Sequence, residues 1–126
     1  MNDIIQKELS DRIIGLSFSV HRTLGPGLLE SAYEEAMCWE LSHAHIPFER
    51  QKVYPLCYKG DYISAYFADL VVDNAVILEL KAVKELTDSM TAQIINYLKL
   101  SKIPVGYLIN FQGAKLEWKR FVCQRE

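Results

Sequence analysis

Three charged residues stand where a stretch this apolar would be expected to carry aliphatic ones. In "FADLVVDNAVILELKAVKEL", residues 67–86, Asp69, Glu79 and Lys81 interrupt two strand-like runs that meet at Asp73-Asn74. Charged side chains are seldom buried unless they are paired or bound to something. Two carboxylates held together repel unless a proton or a cation intervenes. Oxygen ligands of this kind suit Mg2+ or Mn2+, and Mg2+ keeps several of its waters. A neighbouring lysine can assist a water molecule or stabilise charge developing on a phosphate. The same residues also have a plain structural reading, in which Glu79 and Lys81 form a half-exposed ion pair and Asp69 accepts a backbone N–H. The spacing D-x9-E-x-K does not choose between the two.

Two further groups fall at helical spacing. "GLLESAY" sets Glu30 three residues before Tyr33, and "QIINY" sets Gln93 one turn before Tyr97. Taken alone, Glu30 is a favourable charge at a helix N-terminus, and Gln93 is an ordinary exposed helical residue.

The elements that position these residues can be read from periodicity. Ile5, Leu9, Ile13, Leu16 and Val20 form one face of an amphipathic helix from residue 3 to about 23. "LGPG" at 24–27 breaks it. A second helix follows over 28–43, with Leu29, Ala32, Tyr33, Ala36, Met37 and Leu41 as its apolar stripe. Strands are predicted over 48–58, where Pro55 marks an edge or a bulge, and over 62–72 after a turn at Lys59-Gly60-Asp61. A third covers 75–83. Thr87 caps a helix reaching about Ser101, with Met90, Ile94, Tyr97 and Leu98 on one side. A short buried strand at 104–111 and a half-exposed one at 115–122 complete the order α-α-β-β-β-α-β-β, a single α/β domain over residues 1–126.

Strand alternation places Glu79 and Lys81 on one face with Ala75 and Ile77, and Asp69 with Phe67 and Val71. Tyr66, Ala68, Leu70, Val72, Val76, Leu78 and Leu80 form the other, apolar face. Whether Asp69 and Glu79 meet depends on the loop between their strands. A two-residue loop sets Asp69 opposite Leu78 and sends the carboxylates to different faces. A three-residue loop, Asp73-Asn74-Ala75, sets Asp69 opposite Glu79, and Asn74 tolerates the left-handed conformation such loops use. The expectation is the three-residue loop, or a bulge with the same effect.

Bulk properties constrain the rest. A chain of 126 residues, 50% hydrophobic, can bury a core. Its net charge of -2 gives no global nucleic-acid signal, but residues 1–50 balance at -4 and residues 51–126 at +2. A cation on the carboxylate pair would make the second part more positive, which permits a polyanionic partner without showing one. Cys38, Cys57 and Cys123 are widely spaced and odd in number, so they read as buried, reduced thiols of a cytoplasmic protein. The N-terminus lacks a signal-peptide core, and no apolar run approaches a bilayer's thickness. His43 and His45 could share a face but have no third ligand in view, while His21 can complement the end of its helix. Lys115, Lys119, Arg120 and Arg125, interleaved with Trp118 and Phe121, read either as a nucleic-acid contact or as a solvated edge.

In chain order, G-x-x-E, D, E-x-K and Q-x-x-x-Y resemble the PD-(D/E)XK nuclease superfamily, especially its RecB-like exonuclease branch. "HRTLGPGLLESAYEEAM", "ADLVVDNAVILELKAV" and "AQIINYLKLSKIPVGYLINF" resemble the GxxExxY protein family more closely, over about residues 4–122. Ala68 stands where the superfamily's name has proline. The resemblance implies a PD-(D/E)XK nuclease-like fold, with a central mixed β-sheet flanked by helices. It implies Asp69 and Glu79 as ligands of Mg2+ or Mn2+ together with the Leu80 carbonyl, and Glu30 as an additional acidic group at the metal. Lys81 would be the catalytic lysine, with Gln93 and Tyr97 supporting the ligands or positioning a phosphate. The implied activity is metal-dependent phosphodiester hydrolysis, on DNA before RNA. The alternative is a non-catalytic nucleic-acid-binding or assembly module on the same fold. Either reading leaves room for a homo-oligomer.

Overall fold

The computed structural model describes residues 6–123, so Ile5 and Arg125 lie outside the described residues. Helix α1 spans Lys7–Leu24 and α2 spans Glu30–His43, followed by strands β1 (Phe48–Tyr58), β2 (Asp61–Val72) and β3 (Val76–Lys81). Helix α3 (Asp88–Ser101) leads to β4 (Val105–Asn110) and β5 (Glu117–Val122). The element order is the expected one. The strands form one sheet in the order β1-β2-β3-β4-β5. It is mixed, because β3 and β4 run parallel while every other neighbouring pair is antiparallel. A parallel pair needs a crossover, which α3 supplies.

The sheet is covered on both faces. Helices α1 and α2 pack with Leu70, Val72, Val76, Leu78, Leu80 and Ile109. Helix α3 packs on the opposite face with Ala68, Val71 and Ile77. Its approach to β4 is close: a Cβ added at Gly106 would sit 3.0 Å from Ile94 Cδ1 and 3.1 Å from Leu98 Cδ2. Thr87 caps α3 as expected, accepting the Met90 N–H at 3.2 Å.

Four expectations need correction. The buried face of α1 is Ser10, Ile13, Ser17, Val20 and His21, while Leu9 and Leu16 are only half-buried. Serines can occupy a helix interface because their hydroxyls have partners: Ser17 donates to the Ile13 carbonyl at 2.9 Å and lies against Met37 of α2. Leu29 precedes α2 in extended backbone and is 79% exposed, so it is not part of that helix's stripe. Of the cysteines, only Cys38 is buried; Cys57 is exposed on the edge strand and Cys123 is half-exposed.

The fourth correction concerns the facing of β2. Ala68 packs under α3, whereas Leu70 packs under α1 and α2. Two even-numbered residues therefore face opposite ways, and the alternation reverses at Asp69. The reversal is shared with β1, where Phe48 packs with the first cluster and Tyr54 with the second. Gln51, between them, has a φ of 50°. One residue out of extended conformation on an edge strand turns the ribbon over, so Phe67 leaves the face that Asp69 and Val71 were expected to share with it and is exposed.

Candidate active site

The turn between β2 and β3 sets the register on which the site depends. Val72 opposes Val76, Val71 opposes Ile77 and Leu70 opposes Leu78, so the loop has three residues. The Ala75 N–H donates to the Val72 carbonyl at 2.9 Å, and both Asp73 and Asn74 are left-handed, at φ 52° and 50°. Asp and Asn are among the residues that tolerate this region best. The next opposed pair in this register is Asp69 with Glu79, and here the backbone ladder stops. Side chains replace it. Glu79 Oε2 accepts the Asp69 N–H at 2.9 Å, and Asp69 Oδ2 accepts the Leu80 N–H at 2.9 Å. Each carboxylate is anchored on the other's strand.

Burial gives this pair its chemistry. Glu79 is 3% exposed. Its burial, followed by the Asp69 charge, pushes its carboxyl up to about 8. Burial also raises Asp69, against the bonds from Leu80 and Gln51. The Tyr97 hydroxyl is pushed up to about 12, chiefly by burial and then by the charges of Glu79 and Asp69, and its ring packs on the α3 face with Ala68, Val71 and Ile77. Two carboxylates held together in this way share a proton or need a cation before both can ionise. Among the described residues no three of His, Cys, Asp and Glu converge on a metal position. The carboxylate oxygens brought together here are those of Asp69 and Glu79, hard donors of the kind that suit an ion retaining water.

The other predicted residues are placed as follows. Lys81 ends β3, half-buried and opposite Asn110 of β4. Among the described residues it forms no ion pair with either carboxylate, although its charge favours the ionised form of both. The Glu79–Lys81 ion pair is thus not formed, while the backbone bond to Asp69 is. Leu80 buries its side chain under α1 and α2 and gives its N–H to Asp69. Glu30 is exposed, and its carboxylate accepts the Ala82 N–H at 3.3 Å, directly after Lys81. The structure brings Glu30 to the end of β3 but not onto the carboxylate pair. Gln93 is half-buried on α3, one turn before Tyr97.

Tyr33 explains the glycine turn before α2. Its hydroxyl donates to the Gly25 carbonyl at 2.6 Å and accepts the Leu28 N–H at 3.2 Å, while its ring stacks on Phe111 at 4.6 Å. The latch fixes the entry to α2, and so the position of Glu30. Within the basic cluster Arg120 is tied into the fold, donating to the Tyr107 hydroxyl at 2.8 Å and to Ser10 Oγ at 3.3 Å, while Lys115 and Lys119 are exposed. His43 donates to the Trp39 carbonyl and stacks on its ring at 3.7 Å, with both histidines exposed. His21 is bonded to the Gly113 carbonyl at 2.8 Å.

Three residues at the site were not anticipated. Glu34, one turn after Glu30, faces the carboxylate pair, and its charge raises the proton affinity of both members. Gln51 bonds both Glu34 and Asp69. Asn110 is 2% exposed, and its amide bonds both backbone groups of Val83. An asparagine inside the apolar run "VGYLIN" was the visible signal for the last. Nothing in the sequence separates Glu34 from its neighbouring acids Glu30 and Glu35.

Among curated proteins, none matches this chain. The crystal structure of SSO0001 is similar in fold, with a TM-score of 0.58 at 14% sequence identity; the match covers 96% of this chain but only 60% of that one. A model of the PD-(D/E)XK nuclease superfamily matches residues 7–121, from the first turn of α1 into β5. With that match spanning the sheet, all three helices and the paired carboxylates, the chain belongs to the PD-(D/E)XK nuclease superfamily.

Proposed function

We propose that the chain is a Mg2+- or Mn2+-dependent nuclease that hydrolyses phosphodiester bonds in DNA, of the GxxExxY kind within the RecB-like branch. The observation that carries this reading is the pairing of half-buried Asp69 with buried Glu79, cross-anchored on two strands and with Glu79 pushed up to about 8. Asp69 and Glu79, with the Leu80 carbonyl, would hold the cation, which supplies Lewis acidity toward the phosphate and the attacking nucleophile. Lys81, outside ion-pair distance of both carboxylates, is free to reach a phosphate oxygen and stabilise its charge. Glu30 fixes the backbone that follows Lys81. Tyr97 walls the carboxylates from the α3 side, and Gln93 offers an amide one turn away.

Cleavage of end-labelled single- and double-stranded DNA in Mg2+ or Mn2+ tests the proposal. Wild type is expected to cleave, and Glu79→Ala to fall to background while retaining its far-UV circular dichroism. A folded wild type inert on DNA and RNA in both metals would overturn it. One observation favours the non-catalytic alternative: both carboxylates already serve as backbone acceptors, a role that a binding module would also need.

A further inference from the structure

Gln51 is a solvent-exposed residue in the middle of β1, and packing gives it no reason to leave extended conformation. Yet its φ is 50°, and the regular pairing on either side is Arg50 with Leu70 and Lys52 with Ala68. Successive residues of a regular strand point to opposite faces. Here the left-handed residue lets two successive side chains reach one carboxylate. Arg50 Nε donates to Glu34 Oε2 at 2.7 Å, and Gln51 Nε2 donates to Glu34 Oε1 at 3.0 Å. The guanidinium also reaches Glu35 Oε2 at 2.8 Å. The second donor position of the Gln51 amide then serves Asp69 Oδ1 at 3.3 Å, on the oxygen that Leu80 does not use.

An amide nitrogen carries two N–H donors and no charge, which suits a position between two carboxylates. Glutamate there would add repulsion, and lysine would supply the neutralising charge that a metal should bring. Residues in sparsely populated backbone regions cluster where the strain serves a function. We propose that Gln51 is a positioning residue: it seats the Asp69 carboxylate, links it through Glu34 to α2, and thereby sets the affinity of the pair for a divalent cation. The inference rests on the reading of Asp69 and Glu79 as a cation site. Groups that orient metal ligands typically change affinity about 10–100-fold when removed.

The test is calorimetric titration with Mn2+ of wild type, Gln51→Met and Gln51→Gly. Methionine keeps the length and the backbone strain but has no donors; glycine removes the strain as well. Both variants are expected to lose affinity by about tenfold or more, and in EDTA the glycine variant should melt above the methionine variant. Wild-type affinity in Gln51→Met would overturn the proposal. If wild type itself binds no Mn2+, the cation reading fails separately, and the seat is judged in EDTA by NMR. The Gln51 side-chain amide resonances should then shift in Asp69→Asn and in Glu34→Gln. Resonances that respond to neither substitution would overturn the proposal without any metal.

Discussion

The two ends of the β2–β3 pair follow different rules. At the turn end, Leu70 to Val72 and Val76 to Leu78 are paired by backbone and almost wholly buried, with Val71 and Ile77 under α3 and the others under α1 and α2. At the next pair along, Asp69 and Glu79, the backbone ladder ends and the carboxylates hold the strands instead, Glu79 accepting the Asp69 N–H and Asp69 the Leu80 N–H. The first end is stabilised by removing apolar surface from water. The second replaces ladder bonds with charge-assisted ones, and in doing so confines two like charges. The difference teaches that this site is built by interrupting a sheet rather than by decorating its surface. The anchored half supplies the stability that the charged half consumes.

The largest expected separation of the two ends is catalytic. Lys81→Ala should retain Mn2+ binding, because Lys81 forms no ion pair with either carboxylate, while lowering cleavage by on the order of 10²–10³-fold. Equal turnover in single-turnover assays would remove Lys81 from the chemistry. At the other end, Leu78→Ala should cost about 2–5 kcal/mol in urea unfolding, as expected for a fully buried leucine. Its Mn2+ affinity under folding conditions should change little, and a large loss would show that the two ends are not separable.

A third effect is a pH dependence that changes direction with metal. In EDTA the folded state holds the Glu79 proton more tightly than the unfolded chain, since its carboxyl is raised from 4.5 to about 8. Between those values the folded state binds more protons, so stability is present at low pH and declines as pH rises toward 8. Asp69, also raised, acts in the same direction. Melting temperatures measured across this range should fall for wild type and fall less for Glu79→Gln. With saturating Mn2+ the trend should reverse, because ligation needs the ionised carboxylates. A flat profile in EDTA would show that the pair is not desolvated in solution.

Much of the site was legible because strand arithmetic is strict. The D-x9-E spacing, together with a turn that admits left-handed residues, leaves the three-residue loop as the register that brings the carboxylates to one face, and the chain adopts it. The reversal at Gln51 was not legible. Glutamine has no marked preference for positive φ, and no pattern of apolar residues announces a single left-handed residue in a strand. Glu34 was hidden for a related reason: the acids at 30, 34 and 35 look alike in sequence, and only β1 decides which of them faces inward. The α1 face was misread because serine counts as polar in any periodicity, although Ser17 satisfies its hydroxyl within its own helix.

The buried Asn110 has one more consequence. Its Oδ1 accepts the Val83 N–H at 3.1 Å and its Nδ2 donates to the Val83 carbonyl at 2.9 Å, so a side chain reproduces the pair of bonds a peptide group would make. The chain beyond Lys81 is thereby restrained after the backbone pairing of β3 with β4 has ended. Ordering a loop on a ligand subtracts from affinity, whereas a segment already ordered carries no such entropic cost at the moment of encounter. The freedom of the residues that flank Lys81 is surrendered during folding, so the lysine stands on a backbone that is in place before any ligand arrives.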